Sequence, residues 1–66
     1  MNKATIKAFI AWLEAASEAA IQAHQQEVLA HLAKITSREG RADVRLALRL
    51  IDEELLARME ACRQGS

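Results

Sequence analysis

Apolar positions recur at steps of three and four along almost the whole chain. From Val44 the series Val44, Leu48, Ile51, Leu55, Met59 and Cys62 falls on one side of a helix, and no Gly or Pro interrupts it. Upstream, Ile6, Ile10, Leu13, Ser17, Ile21, His24, Val28, Leu32 and Ile35 form a second stripe of the same period, with Phe9 and Ala20 beside it. Asn2 stands where an N-cap belongs. The pattern predicts one helix over about 3–35 and another over about 43–63, joined by a turn over about 36–42.

The turn offers three capping choices. Thr36 and Glu39 have capping-box spacing, Gly40 suits the residue after a helix end, and Asp43 is a second N-cap candidate. The second helix therefore starts between Ser37 and Val44, and Gly65 is its natural stop. A short link makes the helices antiparallel neighbours. The expected fold is all-α, a single domain over 1–66 built as a two-helix antiparallel hairpin.

Each helix has more apolar circumference than one neighbour can hide. Ala4, Ala8, Ala11, Ala15, Ala19, Ala23, Ala30 and Ala33 run along the far side of the first helix, with Trp12 among them. Alanine there serves either as the best helix former on a wet face or as a seat for close packing. Leu46, Leu50 and Ala57 line a second side of the other helix, and Leu56 stands apart. Exposed apolar area of this kind marks an interface, and a twofold homodimer forming a four-helix bundle is the economical way to cover it. The expected interface residues are Trp12, Ala15, Ala19, His24, His31, Leu46, Leu50 and Leu56.

Composition narrows the reading. The chain has 66 residues, 52% of them apolar, a formal net charge of zero and one cysteine. Such a length makes a marginal domain that gains from oligomerisation. One cysteine cannot form an internal disulfide and fits a reducing compartment, so the expected location is cytoplasmic. The apolar run Ala8–Leu13 behind Lys3 and Lys7 is too short for a signal peptide, and no run is long enough to span a bilayer. The Ala, Leu and Arg content has the cast of a GC-rich bacterium or its phage.

Candidate chemistry is sparse. His24 and His31 lie two turns apart, roughly 10 Å, too far to share a metal ion within one helix. They read as hydrogen-bonded seam residues, which would make an interface responsive to pH. Cys62 reads as a small buried hydrophobe. No Ser/His/Asp set, cysteine pair, Gly-rich loop or HExxH segment is present. The expectation is a non-enzyme with no cofactor and no metal. Arg38, Arg41, Arg45 and Arg49 share one side of the second helix and are candidate phosphate contacts, although acids interleave with them.

The favoured function is a small intracellular regulator, adaptor or inhibitor, acting as a homodimer that docks a helix face onto a protein. A nucleic-acid-binding modulator using the arginine strip is the alternative. A structural oligomerisation module is the third, and Met1 with the apparent caps at both ends counts against it. No membrane partner is expected.

Overall fold

The computed structural model describes residues 2–64, so the expected stop at Gly65 lies outside the described residues. They form three α-helices: α1 Lys3–Ala15, α2 Glu18–Leu32 and α3 Arg38–Gln64. The all-α class stands, but the two-helix hairpin does not. The stretch expected as one helix over 3–35 turns a corner at Ala16 and Ser17, both extended, with ψ of 152° and 157°.

Local chemistry explains the corner. Ser17 caps α2, its Oγ accepting from Ala20 N at 3.1 Å, and Glu18 follows in the first turn, where negative charge complements the helix dipole. The end of α1 has no basic residue of its own. Arg58 of α3 supplies one, donating from Nη2 to the carbonyl oxygens of Leu13 and Ala16 at 2.7 Å each. Terminal carbonyls that lack an intrahelical partner are thus satisfied from another helix.

Asn2 caps α1 as expected, accepting from Thr5 N at 2.8 Å. α2 ends at Leu32, three residues before the expected limit, in a tight turn where Lys34 and Ile35 donate to the His31 carbonyl. α3 begins at Arg38, five residues earlier than the expected 43. Ser37, rather than Thr36 or Asp43, is its cap, accepting from Gly40 N at 3.1 Å. Gly40 is consequently helical and does not end the preceding helix. A Cβ there would come within 2.7 Å of Ser37 Oγ and 2.9 Å of Ile35 Cγ2, so the glycine permits the close approach of the turn.

α3 is the spine against which α2 and α1 both pack. α2 runs antiparallel to it, with Gln25 Nε2 donating to Asp52 Oδ1 at 3.1 Å. The core joins Leu13, Ile21 and Ile51, one residue from each helix and each no more than 2% exposed, surrounded by Phe9, Ala16, Leu50 and Leu55. α1 therefore covers Leu50, a task the sequence assigned to a second molecule. The far end of the α3 stripe departs from expectation as well. Met59 is 58% exposed and Cys62 is exposed rather than buried, because α1 turns away at the corner before reaching them.

The unit is thin, with extents of 44 × 24 × 15 Å. Its radius of gyration of 13.0 Å exceeds the roughly 10.8 Å of a compact chain of this length.

Candidate interaction surface

The expected interface residues divide between three places. Trp12 and His24 come together: their rings are 5.0 Å apart edge to face, and Phe9 lies 6.0 Å from Trp12 and 5.8 Å from His24. This cluster ties α1 to α2, and Trp12 remains 39% exposed at its rim. His24 is half-buried, with Nδ1 3.8 Å from Glu27 Oε2. His31 is exposed. Neither histidine is buried as expected, since α2 and α3 leave the space beside them open. Both instead edge an open groove of about 380 Å³ between α2 and α3, with Val28, Val44 and Ala47 at its floor and sides.

Leu46 and Leu50 are half-buried, and Leu50 joins the core periphery beneath α1. Leu56 is 56% exposed and shares a second groove, about 360 Å³, with Leu48, Arg45 and Arg49. Ala15 and Ala19 are exposed on either side of the corner. Ile10, Leu29 and Met59 complete the large exposed apolar side chains among the described residues.

The arginine strip is not uniform. Arg41 is half-buried and donates to the Ile35 carbonyl at 3.3 Å, fastening the turn. Arg49 pairs with Glu53 at 3.2 Å. Arg38 and Arg45 are exposed. Two of the four thus already have a protein partner, although the Arg49 side chain stays 77% exposed.

Sequence reading missed the Glu54–Arg58 clasp. Arg58 Nε donates to Glu54 Oε2 at 3.0 Å while Nη2 holds the end of α1, and both side chains are less than a third exposed. Glu54 and Arg58 have the i,i+4 spacing of a helical ion pair, but spacing is silent on the role of Arg58, because the carbonyls it serves are more than forty positions away in the chain. The Ser17 cap left a fainter signal, as a serine followed by an acid on an otherwise apolar stripe.

Among the described residues, no group of three or more His, Cys, Asp or Glu side chains could hold a metal ion. None of the helices among the described residues is long and apolar enough to cross a membrane. No protein-family model matches the chain, and neither a curated protein nor a solved structure shows significant similarity to it.

Proposed function

We propose that the chain is a non-enzymatic helical module that self-associates and acts as a regulator or adaptor by presenting helix faces to a protein partner. The observation that carries this reading is the imbalance between core and surface. Among the described residues the buried apolar side chains are Leu13, Ile21, Ala47 and Ile51, while Ile10, Trp12, Leu29, Leu56 and Met59 are between 37% and 58% exposed. The accessible surface is 5032 Å², against about 4,200 Å² for a compact chain of this mass. The surplus is comparable to the roughly 800 Å² that each partner contributes to a standard interface. A core this small gains stability from association.

Sedimentation across a dilution series tests the reading, together with thermal unfolding at each concentration. A self-associating chain shows a rising mass and a rising midpoint as concentration increases. Trp12→Ala and Leu56→Ala weaken that dependence if those faces take part. A single sedimenting species of monomer mass, with a midpoint independent of concentration, ends the proposal.

A further inference from the structure

We infer that the corner at Ala16 and Ser17 is a hinge, and that two copies of the chain associate with residues 3–32 straightened into one continuous helix. The inference rests on the self-association proposed above and specifies its form. Four observations lead to it.

The apolar stripe does not change phase at the corner. Ile6, Ile10, Leu13, Ile21 and Val28 lie on one side of a straight helix drawn through both segments. Nor does the corner contain a residue that forbids straightening. Ala16 and Ser17 have φ of −76° and −71°, so rotation about ψ alone takes them to helical geometry.

The polar groups at the corner have alternative partners ready. Arg58 holds the carbonyls of Leu13 and Ala16, and Ser17 Oγ holds the N–H of Ala20. In a straight helix those carbonyls accept from the N–H groups of Ser17 and Ala20. Both forms therefore satisfy these two carbonyls and the Ala20 N–H, and the straight form gives up the Phe9–Trp12–His24 contact, leaving those rings for the partner copy to cover.

The register of α2 on α3 supplies the third observation. Gln25 bonds Asp52, and Val28 shares a groove with Val44, so facing residue numbers add to between 72 and 77. Continued through a straightened α1, that register brings Leu13 level with the stretch from Met59 to Gln64, which includes Cys62. Met59 and Cys62 are the members of the α3 stripe left exposed in the bent form.

The fourth concerns what covers the seat that α1 vacates, a strip of α3 where Leu50 and Ala57 flank Glu53 and Glu54. A second copy of this chain fits it. A straight helix over 3–32 is about 45 Å long and the 27-residue α3 about 40 Å, so two hairpins make a bundle of matched lengths. α3 is also divided in net charge: Arg38, Arg41, Arg45 and Arg49 outweigh Glu39 and Asp43 in its first half, and Asp52, Glu53, Glu54 and Glu60 outweigh Arg58 and Arg63 in its second. Two antiparallel copies place basic beside acidic halves.

The test compares the full chain with Glu18→Pro and Ser17→Ala by sedimentation over dilution, with Cys62 thiol reactivity as a native probe. Proline at the first position of α2 keeps Ser17 extended, as it already is, and blocks a continuous helix. The hinge predicts that the natural chain dimerises with loss of Cys62 reactivity. Glu18→Pro stays monomeric and reactive, and Ser17→Ala, which loses the cap, tightens the dimer at least about tenfold. A Glu18→Pro chain that dimerises as tightly as the natural one overturns the hinge and leaves self-association standing. If the natural chain and Ser17→Ala both remain monomers, both readings fall. Spin labels at Lys7 and Gln26 in a Cys62→Ser background give a reading that needs no proline. A separation near about 28 Å in the dimer is the straight helix, and a clearly shorter one in the dimer overturns the hinge.

Discussion

Replacing Arg58 by methionine removes the guanidinium while keeping an unbranched stem of similar reach. The side chain makes two bonds of 2.7 Å to the carbonyls of Leu13 and Ala16, besides its pair with Glu54. A hydrogen bond from a charged donor contributes about 1.5–3 kcal/mol net. Arg58 is 30% exposed, so water can replace part of what is lost, and the two bonds together are worth about 2–4 kcal/mol. A 66-residue chain has roughly 3–10 kcal/mol of stability in all. Arg58→Met therefore removes about a fifth of it or more, which for a chain of this size lowers the unfolding midpoint by roughly 8–32 °C. Glu54→Gln keeps the clasp and loses only an i,i+4 ion pair, at a cost of about 1 kcal/mol or less. Denaturant unfolding followed by circular dichroism measures both, at dilutions low enough that association does not contribute. Equal and small losses for the two variants would refute the clasp and leave the corner without a tertiary cause.

Four further substitutions test the packing and the turn. Ile51→Ala opens a cavity in the three-residue core and costs about 2–5 kcal/mol in the same assay, whereas Met59→Ala at the dilute end of the series costs less than about 0.5 kcal/mol, although the two residues share one sequence stripe. Gly40→Ala would gain up to about 1 kcal/mol from helix propensity alone, yet the added Cβ meets Ser37 Oγ and Ile35 Cγ2, so net destabilisation of about 1 kcal/mol is expected. Ser37→Ala costs about 1 kcal/mol in the natural chain and little in the Gly40→Ala background, where the cap is already displaced, and additive losses would show that the cap and the glycine act independently.

The all-α class, the Asn2 cap and the antiparallel pairing of α2 with α3 were legible in the residues, because each follows from short-range spacing. The start of α3 was less so. Thr36, Ser37 and Asp43 are all competent caps, and what selects Ser37 is the approach of Gly40 N to its hydroxyl together with the hold of Arg41 on the Ile35 carbonyl. The exposure of Cys62 was not legible at all. Its place on the stripe is real, but the neighbour that would cover it turns aside at residues 16 and 17. Trp12 and His24 were singled out separately, and only the fold shows that the corner folds one back onto the other.

The corner itself escaped for a deeper reason. Periodicity reports which side of a helix faces the core, and a bend that keeps that side inward leaves the period untouched. Leu13 and Ile21 are eight residues apart, in phase, and both are buried against Ile51, so a bent and a straight chain share one hydrophobic pattern. The two forms differ in a few backbone groups and in the Phe9–Trp12–His24 cluster, which only the bent form makes. The bent form relies on Ser17 Oγ and on a guanidinium reaching in from α3, and the straight form on ordinary intrahelical bonds. Patterning thus fixes the face, while one distant arginine, one serine and the Phe9–Trp12–His24 contact fix the direction. A chain so arranged can be redirected by changing the arginine or the serine without altering a single core side chain.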